Sequence, residues 1–325
     1  MEVHMGKQYD VVALGELLID FTDNGKSQQG NPLMEANPGG APCNVLALLQ
    51  KLGKKTGFIG QVGNDLFGNM LEDAICKVGI DAKGLVKSNE YNTTLAFVHT
   101  LEDGDREFSF YRNPGADMML SSQQVNVEML EQAKIFHFGS LSMTDDVVRE
   151  ATKYALQLAK KAGAIISFDP NLREPLWSSL ELAKEQISYG MSKCDILKIS
   201  DNEILWFTGE NTYEKAVNAL QTQFPNIQLL LLSLGKEGSR AYVGDVFVEV
   251  SPFLQKNTIE TTGAGDTFCG CVLNYVLDHG IQKFNKEELT EMLTFANAAA
   301  ALITTKKGAL AVMPEREEIE ALLGK

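Results

Sequence analysis

Short apolar runs alternate with helix-patterned stretches along most of the chain, and this alternation constrains the fold more than any other feature. The runs lie at 11–14, 57–60, 135–138, 165–168, 196–199 and 229–232. The helix-patterned stretches lie at about 41–53, 65–79, 145–162, 179–191, 212–223, 264–278, 286–304 and 315–322. Nearly continuous apolar strands suit a parallel sheet that is covered on both faces. The pattern therefore predicts an α/β protein, a doubly wound three-layer α/β/α sandwich with a mainly parallel sheet.

Two segments, residues 18–38 and 92–117, do not fit this alternation. The first holds short extended pieces, and the second reads as a hairpin with strands at 95–101 and 106–112 around a Glu-Asp-Gly-Asp turn. Because these strands belong to no strand–helix–strand unit, we interpret the two segments as a small β-sheet lid. The alternative is a decorated edge of the main sheet. With no internal repeat and no Pro/Ser-rich linker, a single domain over 1–325 is predicted.

The charge and composition exclude several classes of protein. The chain carries 43 acidic against 29 basic residues, a net charge of −14, which repels a nucleic-acid backbone. No apolar stretch approaches the roughly 18 residues of a membrane span, and the charges among the first twenty residues leave no signal-peptide core. The five cysteines are odd in number without CxxC spacing, and the four histidines lack zinc spacing. We therefore expect a cytoplasmic protein with free thiols and with no nucleic-acid or membrane partner.

Two familiar nucleotide-binding patterns are incomplete in this chain. Gly25-Lys26-Ser27 resembles the end of a P-loop, but the first glycine of that motif would fall on Asp20. The following residues 28–32 contain Gly30 and Pro32 and cannot sustain the helix that a P-loop requires. No GxGxxG opens a helix after the first strand, so a dinucleotide-binding fold has no support either.

The most informative segment is Thr261-Thr262-Gly263-Ala264-Gly265-Asp266, which precedes an apolar helix. The two glycines allow a tight turn whose N–H groups converge, and the first amides of the helix lack partners in the helix itself. Together with the positive end of the helix dipole, such amides form an anion site without any cationic side chain. The dipole favours the ionised carboxylate of Asp266, for which we expect a low pKa. The alternative is an ordinary acidic cap at the start of a helix.

Six ordered motifs together resemble the ribokinase-like (PfkB-type) carbohydrate kinases, whose C-terminal motif is DTxGAGD. They lie at 15–21, 38–45, 58–68, 111–117, 169–177 and 261–270. The fourth and fifth are most similar to the fructokinase branch, and the resemblance covers nearly the whole chain. It implies a ribokinase-like fold and an ATP-dependent sugar kinase that makes fructose 6-phosphate from fructose.

The resemblance implies roles for the glycine-rich segment. Asp266 would be the base that takes the proton from the sugar hydroxyl, which becomes acidic only as its bond to phosphorus forms. The amides of Gly263, Ala264 and Gly265 would hold the transferring phosphoryl group as its charge builds.

The sugar contacts implied near the N-terminus are Asp20, Gly39, Gly40 and Asn44. Asp20 can accept two hydrogen bonds from hydroxyl groups, and the two glycines allow a close approach of the backbone. Asn44 presents its amide from the first turn of a helix that Pro42 opens. A turn-capping role is the alternative for Asp20.

The lid and a central loop supply the other implied sugar contacts. Phe97 and Tyr111 would close over the sugar and exclude water, and Arg112 would reach a hydroxyl or the phosphate. Arg173 resembles an arginine that contacts the substrate and the γ-phosphate. The alternatives are a place in the lid core for Phe97 and a surface ion pair for Arg173.

The nucleotide and its cations are implied by four further places in the chain. Ser233, Gly235 and Gly238 look like the family's turn near the ATP phosphates and ribose, and Asn297 resembles a residue beside adenine. The resemblance implies that Glu203 orders Mg²⁺ through water, although the asparagine that starts that N-x-x-E element is Ser200 here. It also implies K⁺ near the first acid of DTxGAGD, which is the longer Glu260 in this chain.

Other functions stay open from the sequence alone. Within the class, the substrate could instead be 2-keto-3-deoxygluconate, ribose or a ribosyl nucleoside. Tyr111, Arg112 and Arg173 favour an acidic sugar, whereas Asp20 favours neutral hydroxyls. A non-catalytic kinase-like binding protein and a nicotinamide oxidoreductase are the alternatives outside the class. The resemblance further implies a homodimer through the lids, where an apolar strand face bearing Leu95, Phe97 and His99, or the opposite face, would be covered.

Overall fold

The computed structural model describes residues 7–100, 106–281 and 284–325. The strands are β1 (Tyr9–Leu14), β2 (Leu18–Lys26), β3 (Pro32–Gly39), β4 (Thr56–Gly63), β5 (Asp81–Ser88), β6 (Leu95–Thr100), β7 (Arg106–Tyr111), β8 (Ala133–Gly139), β9 (Ile165–Asp169), β10 (Ile196–Ser200), β11 (Leu229–Ser233), β12 (Ser239–Val243) and β13 (Val246–Val250). The helices are α1 (Ala41–Lys51), α2 (Leu66–Lys77), α3 (Val127–Glu131), α4 (Asp146–Lys161), α5 (Leu180–Met191), α6 (Asp201–Thr208), α7 (Tyr213–Gln223), α8 (Ala264–His279), α9 (Lys286–Ile303) and α10 (Arg316–Leu322).

The larger sheet has nine strands in the order β13-β12-β11-β10-β9-β8-β1-β4-β5. The seven strands from β11 to β5 pair in parallel, and β12 and β13 add an antiparallel edge. The carboxyl ends of the parallel strands therefore open on one edge of the sheet, where ligands bind in folds of this kind.

Two hydrophobic cores cover the two faces of this sheet. Successive residues of β1 alternate between them, so that Val11 and Ala13 belong to one core and Val12 and Leu14 to the other. Helices α1, α8 and α9 complete the first core, and α4, α5 and α7 complete the second. The predicted three-layer sandwich with a mainly parallel sheet is confirmed.

The segments that broke the alternation form a separate sheet of four strands in the order β3-β2-β6-β7. β2 pairs with β3 and β6 pairs with β7 in antiparallel fashion, while β2 and β6 pair in parallel. The predicted hairpin thus corresponds to β6 and β7, and the Glu-Asp-Gly-Asp turn within 101–105 lies outside the described residues. The side chain of His99 lies outside them as well.

Several elements differ from the sequence prediction. The short helix α6 and the strands β5, β12 and β13 carry no strong periodic pattern and were not predicted. As predicted, no helix follows Gly25-Lys26-Ser27, because β2 ends at Lys26 and a turn follows. Within the described ranges, no helix combines the length and apolar character that a membrane crossing requires.

Candidate active site

The candidate site lies where the first turns of α1 and α8 meet the carboxyl ends of β9 and β10. The two helices pack closely at Gly270, where a Cβ atom would lie 2.9 Å from Leu48 Cδ2 and 3.2 Å from the carbonyl oxygen of Val45. This approach brings Asn44 and Asp266 together although 222 residues separate them, and Asn44 Nδ2 donates a hydrogen bond of 2.8 Å to Asp266 Oδ2. The glycine therefore fixes the spacing on which the site depends.

Asp266 is a buried carboxylate, with 9% of its surface exposed. Burial raises its pKa above the ordinary value, while the hydrogen bond from Asn44 and the charges of Lys198 and Arg173 oppose the rise. The low pKa expected from the helix dipole alone was wrong, because desolvation outweighs it. A carboxylate with a raised pKa is a better proton acceptor than an ordinary aspartate.

The glycine-rich segment before α8 contains a tight turn at Gly263, as the sequence predicts, whereas Gly265 already lies within the helix. Gly263 caps the helix in the left-handed region at φ 78°, which glycine adopts without strain. The N–H of Ala264 donates to the carbonyl of Thr261 at 3.2 Å, so this amide is partly engaged within the chain. Asp266 follows in the first turn, beside the positive end of the helix.

A buried ion pair beside this turn was not singled out from the sequence. Lys198 Nζ lies 2.9 Å from Asp169 Oδ2, and their side chains are 7% and 5% exposed. Burial disfavours the charged form of Lys198, but the carboxylates of Asp169 and Glu203 outweigh it and raise the pKa of the lysine. The available signal was a lysine inside the otherwise apolar run Ile196-Leu197-Lys198-Ile199, because a buried charge requires a partner.

The small sheet presents Asp20 toward Gly39. A Cβ atom on Gly39 would lie 2.5 Å from Asp20 Oδ2, so only glycine leaves room for this carboxylate. Burial raises the pKa of Asp20 to about 7, the charge of Arg173 opposes this, and Asp266 adds to it. The charge of Asp266 therefore acts on Asp20 across the site.

Gly40 and Glu16 shape the start of α1 next to Asn44. Gly40 has φ 132°, and a Cβ atom there would lie 2.4 Å from the backbone oxygen of Glu16. The buried Glu16 carboxylate accepts a hydrogen bond of 2.9 Å from the N–H of Ala41. Burial raises the pKa of Glu16 to about 7. Glu16 lies within the first of the six motifs, at 15–21, but no role was predicted for it.

The predicted closure of Phe97 and Tyr111 over a ligand of Asp20 was wrong in its geometry. Asp20 pairs with Ala96, whereas Phe97 pairs with Phe21, and side chains alternate between the faces of a sheet. Phe97 and Tyr111 consequently lie on the face opposite Asp20. Phe97 stacks on Phe21 with ring centroids 4.8 Å apart, and its ring centroid lies 5.3 Å from that of Tyr111.

The residues that share the Asp20 face were missed from the sequence. Ala96 lies opposite both Asp20 in β2 and Phe110 in β7, so these three side chains point to the same side. Ala96 is fully buried and Phe110 is partly buried. The alternation of side chains along a strand would identify Ala96 and Phe110 only if the register of β2, β6 and β7 were known. That register depends on pairing between distant segments of the chain.

Arg112 does not reach into the site as predicted, because its guanidinium is bound within the protein. It forms an ion pair with Asp117 at 2.7 Å in which both side chains are 2% exposed. It also donates to Thr144 Oγ1 at 2.9 Å and to the carbonyl oxygen of Leu141 at 3.1 Å. Arg112 therefore anchors the small sheet to the loop after β8.

The loop after β9 places Arg173 beside the two site carboxylates. Asn171 adopts φ 41°, and its N–H donates to Asp169 Oδ1 at 3.1 Å. Arg173 is exposed and donates to the carbonyl of Leu172 at 3.1 Å. Its charge opposes the rise that burial causes in the pKa of both Asp20 and Asp266. The alternative considered from the sequence, a surface ion pair, is not the contact that this side chain makes in the structure.

Glu203 is largely engaged in hydrogen bonds within the chain. Oε1 accepts from the N–H of Leu172 at 2.7 Å, and Oε2 accepts from the N–H and hydroxyl of Ser200, each at 2.8 Å. Ser200 and Glu203 thus form a capping box at the start of α6. Three of about four acceptor positions are occupied, which suits a contact to a metal through water rather than direct ligation. The described ranges contain no group of three or more His, Cys, Asp or Glu arranged to hold a metal ion.

The predicted nucleotide residues lie around the end of β11 and the start of β12. Ser233 ends β11, and Gly235 and Gly238 have positive φ angles of 53° and 104°. Asn297, on α9, accepts a hydrogen bond of 2.8 Å from Ser239 and donates to the backbone of β13 at 3.1 Å. Its amide therefore links α9 to the sheet edge.

Glu260 joins two loops below the small sheet. Oε1 accepts a hydrogen bond of 2.7 Å from the N–H of Gly308, and the N–H of Glu260 donates to the carbonyl of Thr304 at 3.2 Å. The carboxylate also raises the pKa of Asp20, so its charge is felt at the site. A carboxylate oxygen is a ligand type that suits a hard cation.

Cavity size alone would misplace the site. A depression of 730 Å³ lies on the outer surface of α8, α9 and α10, and none of the residues discussed above lines it. A cavity of only 10 Å³, about the volume of one water, lies beside Asp266 and is lined by Glu16, His137 and Asp169 among others. We place the site by the convergence of polar groups because chemistry, not volume, defines it.

Comparisons with known proteins agree with this geometry. Residues 8–316 match the family model described as pfkB family carbohydrate kinase. A probable fructokinase-2 of Arabidopsis thaliana is 43% identical over 306 residues, 94% of this chain and 92% of the relative. Fructokinase-2 of Solanum lycopersicum is 41% identical over 315 residues, 96% of this chain and 95% of the relative.

Solved structures are similar over the same extent. A fructokinase from Xylella fastidiosa with bound ATP superposes with a TM-score of 0.87 at 30% identity, covering 97% of this chain and 98% of that one. A fructokinase from Vibrio cholerae O395 in a form with fructose, ADP and calcium gives a TM-score of 0.86 at 29% identity, covering 97% and 99%. The matched family model, the relatives and the shared fold lead to one conclusion: the chain belongs to the pfkB family of carbohydrate kinases.

Proposed function

We propose that the chain is an ATP-dependent fructokinase that transfers a phosphoryl group from MgATP to a hydroxyl of fructose, giving fructose 6-phosphate. The single observation that carries the proposal is the buried Asp266 carboxylate, held by Asn44 at 2.8 Å in the first turn of α8, beside the glycine-rich turn. The relatives reported above, at about 40% identity over nearly the whole chain, support fructose as the sugar.

Asp266 is the general base in this proposal. Asn44 occupies Oδ2, which leaves Oδ1 to accept the proton of the reacting hydroxyl. Asn44 Oδ1 is itself buried and has no hydrogen-bond partner among the described residues, an arrangement that a hydroxyl donor would complete. The two oxygens together would orient the sugar for attack on the phosphoryl group.

Asp20 and the close backbone at Gly39 bind the far side of the sugar in this proposal. The room that Gly39 leaves for Asp20 Oδ2 supports this role. Ala96 and Phe110, on the same face of the small sheet, would cover the sugar and exclude water. Phe97 and Tyr111 then belong to the opposite face, where the proposed homodimer would cover the 67% of Tyr111 that is exposed.

The phosphates of ATP are proposed to lie between the glycine-rich turn and the loop after β9. The amides of Gly263 and Gly265 and the positive end of α8 would hold the transferring group, and Arg173 would approach it from the opposite side. Ser233, Gly235 and Gly238 would border the rest of the nucleotide. Glu203 would hold magnesium through water, and the metal would supply neutralisation of the phosphate charge.

An acidic sugar such as 2-keto-3-deoxygluconate has less support than fructose. Arg112 was one of the cations on which that alternative rested, and it is bound to Asp117 at 2.7 Å. We further propose that Glu260 helps to hold potassium and that the protein is cytoplasmic. The proposed location rests on the five cysteines, which form no disulfide.

The proposal is tested with a panel of sugars in an ADP-release assay. Fructose should saturate the enzyme at the lowest KM, with ribose, a ribosyl nucleoside and 2-keto-3-deoxygluconate as competitors. Saturation by a sugar acid together with no turnover of fructose would overturn the proposal. An inactive chain that still binds fructose would indicate a binding protein instead.

A further inference from the structure

The buried pair of Lys198 and Asp169 lies directly beside the turn that carries Asp266. The two residues come from neighbouring parallel strands and meet at 2.9 Å near the carboxyl ends. A Cβ atom on Gly265 would lie 3.1 Å from Lys198 Nζ, so the ammonium group fills the space beside the residue that precedes Asp266. A lysine held in this way is a fixed positive charge beside the proposed base.

The groups that face Asp266 come from every element packed around it. They are Asn44 on α1, Asp169 on β9, Arg173 in the loop after β9, Lys198 on β10 and Asp20 on β2, with Glu16 and His137 lining the same small cavity. His137 is no cation, because burial and the charge of Lys198 lower its pKa to about 3. Arg173 is exposed and bound to a backbone carbonyl of its own loop. Lys198 is therefore the cation whose position the fold fixes.

We infer that Lys198, held in place by Asp169, is a positioning residue that keeps the buried carboxylate of Asp266 ionised and ready to accept a proton. The inference rests on the proposed function, because it takes Asp266 as the base. A carboxyl group removed from water becomes neutral unless an opposite charge or hydrogen bonds stabilise its ionised form. A protonated Asp266 could not deprotonate a hydroxyl, so the buried cation sets the pH range of activity.

The kinetic test compares Asp169→Asn with Lys198→Met/Asp169→Asn. Removing Lys198 alone would leave Asp169 buried without a partner, which destabilises the fold for a separate reason. In the Asp169→Asn background Lys198 still has the carboxylates of Glu203 and Asp266 as charged neighbours. Because Asp169 is neutral in both proteins, the step between them isolates the charge of Lys198. At saturating MgATP and fructose, the acid limb of the pH profile of kcat should lie about 1–3 pH units higher in Lys198→Met/Asp169→Asn than in Asp169→Asn. Lys198→Arg, which keeps the charge, should leave the limb near its wild-type position.

A second readout does not require activity. In the Asp169→Asn protein, Lys198→Met should lower the free energy of unfolding more when residue 266 is Asp than when it is Asn. The control is Lys54→Met, because Lys54 follows α1 and its ion pair with Asp278 lies at the end of α8 remote from Asp266. Lys54→Met should change the free energy of unfolding by the same amount whether residue 266 is Asp or Asn. Should the methionine variant fail to fold, Lys198→Gln takes its place in the same comparison.

The outcomes separate this inference from the proposed function. If the chain phosphorylates none of the sugars, the proposed function fails, and the unfolding coupling between positions 198 and 266 alone decides the inference. If fructose is phosphorylated, an acid limb at the same pH in Asp169→Asn and in Lys198→Met/Asp169→Asn overturns the inference. An upward shift with a favourable coupling supports it, because a merely structural lysine would change stability without moving the limb.

Discussion

Gly39→Ala is a perturbation whose effect can be worked out from the structure. The new Cβ atom would lie 2.5 Å from Asp20 Oδ2 and 3.6 Å from Asp20 Cγ. Because the contact is with the end of a flexible side chain, the carboxylate should turn away while the backbone stays. Losing one hydrogen bond to a charged group costs about 1.5–3 kcal/mol, which corresponds to a rise of about 10- to 150-fold in the KM for fructose. The KM for ATP and the melting temperature should change little.

The matched control repeats the substitution without its target. In an Asp20→Ala protein, Gly39→Ala should have no further effect on the KM for fructose, since nothing is left for the Cβ atom to displace. Steady-state kinetics of the four proteins, with thermal unfolding to check the fold, provide the comparison. A wild-type KM in Gly39→Ala, or an equal loss in the presence and absence of Asp20, would refute the placement of Asp20 against the sugar.

Three further predictions follow from the buried acids and the cation proposal. Asn44→Ala removes a hydrogen bond to a charged group, worth about 1.5–3 kcal/mol, so the acid limb of kcat should rise by about 1–2 pH units in a kinetic pH titration. Burial raises the pKa of Glu16 to about 7, so the folded state binds its proton more tightly than the unfolded state. The contribution of Glu16 to the free energy of unfolding is then greatest below the pKa that its carboxyl group has in the unfolded chain. This contribution is lost as the pH rises through 7. Relative to the wild type, Glu16→Gln should gain up to about 3 kcal/mol in urea unfolding between pH 5 and pH 8, and a constant difference would contradict the burial effect. Glu260→Gln should weaken activation by KCl relative to choline chloride, whereas an unchanged potassium response would remove Glu260 from the proposed cation site.

The parts of the fold that local patterns determine could be predicted from the sequence. The apolar runs that became β1, β8, β9, β10 and β11 are long enough in β-forming residues to specify buried parallel strands. The turn before α8 could also be predicted, because a glycine at φ 78° is a local requirement of the chain. Weakly patterned edge strands such as β12 and β13 could not be predicted, since they depend on pairing with β11.

The parts of the site that depend on distant contacts could not be predicted. The face of the small sheet on which Phe97 lies follows from the register between β2 and β6, which are more than 70 residues apart. The raised pKa of Asp266 follows from packing of α1 on α8, which removes water from the carboxyl group. The partner of Arg112 is near in sequence, yet its burial beneath the loop after β8 is a tertiary effect. Motifs thus indicated part of the candidate site, whereas register and burial decided what each side chain faces.

Asp266 is proposed as the base of a sugar kinase, and the most direct test of that role is the rate of ADP formation from MgATP and fructose by Asp266→Asn. Asp278→Asn, near the other end of α8, is the matched control. Removal of a general base should lower kcat by about 10²- to 10⁴-fold in Asp266→Asn, with an intact fold and near wild-type rates in the control. A folded Asp266→Asn protein that phosphorylates fructose at the wild-type rate would contradict the account.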